Sequence, residues 1–279
     1  MVGFDEIALR LDDGYEAYGR YWAPARRAAG AVLYHHGIQS HCGWFEASGA
    51  RLADAGYAVL QVDRRGCGRN DADRGDAESA EQLIADAATA RDELARRSGV
   101  DRHHVLGVSW GGKLAVAAYV TEPQGVASLS LVTPGLFPLV GVSKAEAAEI
   151  GFAMLYEPRR RFDIPLNAAE LFTKVPQWRQ FFEADDRTLR QCTASFFLAS
   201  RRMDKIVARL AGAEPVPIHL LLAGDEHIID GPRTGRFVHE LDWPRCRVTT
   251  YADMHHGLEF EPGRETYFTD LVAFLDELG

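Results

Sequence analysis

Cysteine is scarce in this chain, and the four present (Cys42, Cys67, Cys192 and Cys246) form no C-x-x-C pair. That spacing speaks against a zinc site or a disulfide framework and fits a reducing cytoplasm. No stretch reaches the roughly 18 to 20 consecutive apolar residues of a membrane span. The opening MVGFDEIALRLDDG has neither a basic segment nor an apolar core, so no secretory leader is expected and the expected location is cytoplasmic. Basic residues are outnumbered 31 to 40, and a net charge of −9 is the wrong sign for a nucleic-acid partner. Phosphate-cradling glycine motifs are missing, so neither an organic cofactor nor a metal is expected. What remains is a globular composition, 47% hydrophobic over 279 residues, enough for a large core in one elaborated domain.

Strand-like runs alternate with helical patterns from residue 30 onward. AVLYHH (31–36), YAVLQVD (57–63), HHVLGV (103–108), VASLSLVTP (126–134), PIHLLLAG (217–224) and CRVTTYAD (246–253) read as strands. Helical spacing falls at 44–56, from a Ser79/Gln82 capping box to Gly99, after Ser109, at about 232–242, and in the closing ETYFTDLVAFLDEL. DEIALRL and EAYGRYWA form a predicted hairpin turning at Asp12-Asp13-Gly14. About eight strands, the later ones joined by helices, imply an α/β fold with a mostly parallel sheet covered on both faces. Between Pro134 and about residue 212 the alternation stops, and only helices and loops are expected.

In such sheets, chemistry gathers beyond the carboxyl ends of the strands. The residues standing there are His36-Gly37-Ile38, Asp63-Arg64, Ser109, Asp225-Glu226-His227, and Asp253 with His255-His256. Ser109 lies in GVSWGG, a G-x-S-x-G pattern that aims a serine out of a tight strand-to-helix turn. Ser143 in GVSKA is a rival, but Ala145 replaces the second glycine, and Glu146 three residues on makes Ser143 a helix cap. Serine, acid and histidine thus follow one another in chain order, each after a different strand. A serine hydroxyl needs a neighbouring imidazole to take its proton and a carboxylate to hold the ring's tautomer. The acid stays open between Asp225 and Glu226, with Asp230 further on, and the base between His255 and His256.

LYHHGIQSHCGWFE, DRRGCGRND, GVSWGG, LLLAGDEHIID and YADMHHGLEFE together resemble the α/β-hydrolase superfamily. They are most similar to its monoglyceride lipase, lysophospholipase and serine aminopeptidase-like branch, over about residues 28–278. The resemblance implies an α/β-hydrolase fold with Ser109 as nucleophile. It implies His256 as base, because H-G-L matches the branch's His-x-Leu. It points to Glu226 as acid, where E-H-I-I stands in place of the commoner D-R-I-V, and Asp225 is the alternative. The backbone N–H groups of Ile38 and Trp110 would form the oxyanion hole, while Asp63 and Arg64 brace the neighbouring turn. The core is then residues 1–133 and 213–279, and residues 134–212 are a helical cap.

That segment holds 8 of the 14 phenylalanines and 12 Lys/Arg against 9 Asp/Glu. The phenylalanines serve either a small core of the cap or an apolar acyl pocket. Arg159-Arg160-Arg161 are either solvated or a transient contact for a membrane surface. The expected function is hydrolysis of carboxylic esters, of monoacylglycerol, lysophospholipid or small acyl type, through an acyl-enzyme. A peptidase or amidase on the same residues is the alternative, and a non-catalytic small-ligand receptor is a third. Dehalogenase and epoxide hydrolase chemistry expect Asp where Ser109 stands.

Overall fold

The computed structural model describes residues 3–279. Its main sheet has eight strands: β1 (Phe4–Arg10), β2 (Glu16–Trp22), β3 (Gly30–His35), β4 (Tyr57–Val62), β5 (His103–Val108), β6 (Val126–Val132), β9 (Ile218–Ala223) and β10 (Cys246–Tyr251). They lie in the order β1-β2-β4-β3-β5-β6-β9-β10. The hairpin β1–β2 and the β2–β4 pairing are antiparallel, and every other pairing is parallel. These are the eight strands expected from the sequence, to within a residue or two at their ends.

Alternation along the strands divides the apolar side chains between two cores, as the period of two requires. On β9, Ile218, Leu220 and Leu222 face one layer while Leu221 and Ala223 face the other. The first layer packs under α2 (Ala80–Ser98), α3 (Trp110–Thr121) and α7 (Gly231–His239); the second packs under α1 (Glu46–Asp54) and α8 (Arg264–Asp276). Ser79 caps α2 by accepting from the Gln82 N–H at 3.0 Å, yet the Gln82 side chain accepts from the Glu78 N–H instead of the cap's own. Only half of the expected capping box forms there. At α4 (Lys144–Tyr156) the Ser143/Glu146 box is complete, which leaves Ser143 as the cap it was read to be.

The stretch between β6 and β9 holds α4, α5 (Pro176–Ala184) and α6 (Ala194–Val207), and also a short antiparallel ribbon. Its strands, β7 (Arg161–Asp163) and β8 (Gln191–Thr193), are three residues each, too short for any periodicity to reveal them. Helix α6 is part of the main fold: Phe196, Ala199, Met203 and Val207 are buried in the same core as α3 and the sheet. A separate cluster within the segment is small, with Ile150, Ala153 and Ala194 at its centre. Arg159 pairs with Asp73 and Asp76, and Arg160 with Glu149, so two of the three consecutive arginines are already engaged. Among the described residues, no helix is long and apolar enough to cross a membrane.

Candidate active site

Strand order reverses between β4-β3 and β5-β6, so the loops after β3 and β5 leave the sheet in opposite directions and open a crevice. Ser109 stands at that point, between β5 and α3, with φ +53° and ψ −123°. A non-glycine residue held there is strained, a cost that only tight surroundings sustain. The surroundings are the glycines of GVSWGG. A Cβ on Gly111 would sit 2.5 Å from the His36 carbonyl oxygen, and one on Gly107 would sit 2.6 Å from Gly112 Cα. Missing methyl groups at both positions let α3 start hard against β3 and β5. Ser109 makes no side-chain capping bond, so its hydroxyl is left for another partner.

That partner is His256. Its Nε2 lies 2.9 Å from Ser109 Oγ, and its Nδ1 lies 2.9 and 3.0 Å from the two oxygens of Glu226. The imidazole and the carboxylate are 2% and 4% exposed, so water does not compete for either link. Glu226 Oε1 also accepts the N–H groups of Ile228 (2.8 Å) and Ile229 (3.4 Å), which orients the carboxylate before the ring arrives. Asp225 points elsewhere: it is half exposed and pairs with His227 at 2.9 Å. His255 Nδ1 faces Asp225 at 3.7 Å. The structure therefore brings together Ser109, His256 and Glu226, and leaves Asp225, Asp230 and His255 out. Asp230 caps α7.

The loop after β3 is braced from several sides. His36 Nε2 accepts the Arg64 N–H at 2.9 Å, which puts the ring proton on Nδ1, where it is donated to the Gly37 carbonyl at 2.8 Å. Burial, and then the nearby Arg64 guanidinium, push the His36 pKa well below its ordinary value, keeping the ring neutral in this role. Arg64 donates to the Gly37 and Ile38 carbonyls at 3.3 and 2.8 Å, and its guanidinium lies over the Trp110 and Phe196 rings. Asp63 accepts the N–H groups of Cys42 and Arg69. Both residues brace the turn, as expected. Among the described residues, neither the Ile38 nor the Trp110 N–H is taken by another group outside regular helix and strand bonding. Trp110 is the first residue of α3, whose N–H has no acceptor within the helix.

Sequence reasoning missed Thr133. It follows β6 at φ +39° and its hydroxyl donates to the His256 carbonyl at 2.9 Å, while Gly135 N–H reaches the Ser109 carbonyl at 2.7 Å. The signal was a polar residue directly after a strand, in TPG, the same criterion that selected Ser109.

Ser109 opens onto a cavity of about 560 Å³, roofed by α4 and α6 and lined chiefly by aliphatic groups such as Ile38, Ile150, Met154 and Ile229. Lys113 and Asp204, paired at 2.6 Å, and Arg201 supply its charged wall. Of the segment's phenylalanines only Phe197 lines this cavity. Phe172, Phe181 and Phe182 cluster on Trp44, and Phe196 stacks on Trp110 at 5.3 Å. The phenylalanine excess mostly serves packing.

The family profile described as Serine aminopeptidase, S33, matches residues 26–263. A proline iminopeptidase of Lactobacillus delbrueckii is 31% identical over 121 residues, 42% of this chain and 40% of that protein. The match thus spans about two fifths of the curated relative's length. Among solved structures, a monoacylglycerol lipase from Paleococcus ferrophilus superposes with a TM-score of 0.84 at 18% identity, over 95% of this chain and all of that one. A thermostable carboxyl esterase from Bacillus coagulans gives 0.84 at 15% identity, over 100% and 99% of the two chains. At such identities these superpositions establish the fold: an α/β-hydrolase sheet with its helices. With most of its length matched by the profile, the chain belongs to the serine aminopeptidase S33 family of α/β-hydrolases.

Proposed function

We propose that this hydrolase cleaves carboxylic esters with an aliphatic, lipid-like acyl group, through an acyl-enzyme on Ser109. The observation that carries the reading is the unbroken line from Ser109 Oγ to His256 to Glu226 at the mouth of an aliphatic cavity. Ser109 Oγ attacks the ester carbonyl carbon as its proton passes to His256 Nε2, and Glu226 stabilises the imidazolium. The negative carbonyl oxygen is held by the N–H groups of Ile38 and Trp110, each donor contributing roughly 3 kcal/mol in the transition state. His256 then protonates the departing alcohol. Water, deprotonated by the same ring, releases the acid and restores Ser109. Residues 134–212 act as the cap over the cavity, with 1–133 and 213–279 as the catalytic core.

Peptidase chemistry, the activity in the family's description, uses the same three residues. An aminopeptidase must also hold a cationic amino terminus. The one carboxylate among the lining residues of this cavity is Asp204, and Lys113 already neutralises it. That favours esters over aminoacyl amides. A fluorophosphonate probe should label the wild type and fail to label Ser109→Ala, and p-nitrophenyl esters should be turned over far faster than aminoacyl anilides. Absence of labelling where a control esterase reacts would overturn the nucleophile, and a preference for anilides would overturn the substrate class.

A further inference from the structure

We propose that Asp225, His227 and His255 bind a divalent transition-metal ion of the zinc class beside the Ser109–His256–Glu226 line. The donors come from two loops: Asp225 and His227 follow β9, and His255 follows β10. Their ligand atoms all lie within 4.8 Å of one another. His227 Nε2 is 2.9 Å from Asp225 Oδ1, and His255 Nδ1 is 3.7 Å from Asp225 Oδ2.

Clustering alone does not make a site; two orphaned atoms point to a ligand. His255 Nδ1 and Glu261 Oε2 are both buried without a hydrogen-bond partner, and they face each other across 3.8 Å. The Glu261 side chain is completely buried. Its Oε1 is satisfied by the Thr173 hydroxyl (2.6 Å) and the Lys174 N–H (2.9 Å), so the deficit sits on Oε2 alone. Lys174 Nζ stands 3.9 Å from Oε2 and donates instead to the Asp253 carbonyl. A separation of 3.8 Å is too long for a hydrogen bond, and burying a carboxylate oxygen and an imidazole nitrogen unpaired is costly. A cation held by Asp225, His227 and His255 gives His255 Nδ1 its missing partner and brings positive charge toward the buried Glu261 carboxylate, which stands 3.8 Å from that nitrogen.

Two imidazoles with carboxylates suit zinc and its neighbours, whereas magnesium and calcium select oxygen donors. Asp225 and His227 are half exposed, which gives an ion a route from solvent and leaves room for water to complete its shell. Two carboxylates against the single Lys174 leave the pocket net negative when the imidazoles are neutral. Asp225 and His227 flank Glu226, and His255 precedes His256, so a bound ion would fasten the loop of the acid to the loop of the base. Metal binding here does not depend on Ser109 being the nucleophile.

Isothermal titration of ZnCl₂ into EDTA-stripped, dialysed protein tests it, with thermal denaturation as a second readout. One zinc per chain is expected, at a Kd on the order of micromolar, with a saturable rise in Tm. His227→Asn changes a half-exposed side chain and should weaken binding by about tenfold or more. His239→Asn, at the exposed end of α7, should bind like the wild type. The proposal is overturned by the lack of a one-to-one isotherm, by equal binding in His227→Asn and wild type, by an equal loss in His239→Asn, or by magnesium binding as tightly as zinc. Fluorophosphonate labelling of the same samples reports separately on Ser109, so failure of one reading is distinguishable from failure of the other.

Discussion

Replacing Glu226 by glutamine keeps the shape and removes the charge, and the hydrogen bonds around the carboxylate dictate how the amide must sit. The Ile228 and Ile229 N–H groups require an acceptor at the Oε1 position. The amide oxygen therefore stays there, and the amide nitrogen takes the place of Oε2, 2.9 Å from His256 Nδ1. The amide oxygen stays 3.0 Å from Nδ1 and competes for its proton, but the N–H donor at 2.9 Å favours Nδ1 as the acceptor, which moves the ring proton to Nε2, facing Ser109. A protonated Nε2 cannot take the hydroxyl proton. Loss of the correct tautomer in a serine–histidine–acid arrangement costs about 10⁴ in kcat, equivalent to roughly 5.5 kcal/mol of barrier. Asp225→Asn should lose at least about a hundredfold less, because its half-exposed carboxylate is turned away from His256. Hydrolysis of p-nitrophenyl butyrate measures both, with circular dichroism and Tm to show that each variant is folded. A folded Glu226→Gln enzyme within tenfold of wild type, or a larger loss in Asp225→Asn, would refute the reasoning.

Two more predictions concern groups away from the reacting atoms. Burial, against the pull of its bonds to Ser48, raises the Glu259 carboxyl from 4.5 to about 7. Because the folded-state pKa is raised, the stability this group contributes at low pH is lost as pH climbs from about 5 through 7. A rise of that size is linked to about 2–3 kcal/mol of stability across the window. Glu259→Gln preserves both links to Ser48 and should flatten the fall in urea-unfolding free energy between about pH 5 and pH 8.5 by that amount; an unchanged slope counts against it. Gly151, on α4, lines the cavity, and a Cβ placed there meets nothing within 4 Å. Gly151→Leu should lower kcat/KM for p-nitrophenyl octanoate relative to butyrate by about tenfold, and an unaltered ratio would mean that the acyl chain lies elsewhere.

Much of this was legible in the sequence, for reasons that can be named. The strands of the parallel part of the sheet are apolar runs bounded by turn chemistry, and the glycines around Ser109 mark a backbone crossing that tolerates no side chain. The acid was ambiguous because Asp225 and Glu226 are adjacent. The backbone N–H groups of Ile228 and Ile229 hold Glu226 inward, a main-chain contact that composition and strand position do not reveal and that only the E-H-I-I resemblance hinted at. The ribbon β7–β8 has three residues per strand and draws its register from tertiary contacts. The fate of the phenylalanines was equally hidden: Phe172, Phe181 and Phe182 find Trp44, far earlier in the chain. Composition records the excess but not the partner.

Helix α6 has a wider consequence. Its Phe196 stacks on Trp110, its Ser200 accepts the Trp110 indole N–H at 2.9 Å, and its Asp204 holds Lys113. Three rungs thus tie the ceiling of the chamber to the very helix that begins directly after Ser109. Helix α4, by contrast, buries only Ile150 and Ala153 and leaves Phe152, Leu155 and Tyr156 exposed. Nor is this segment an interchangeable module: a chimera that trades 134–212 for a foreign sequence would strip Trp110 and Lys113 of their companions and unsettle the turn that carries Ser109.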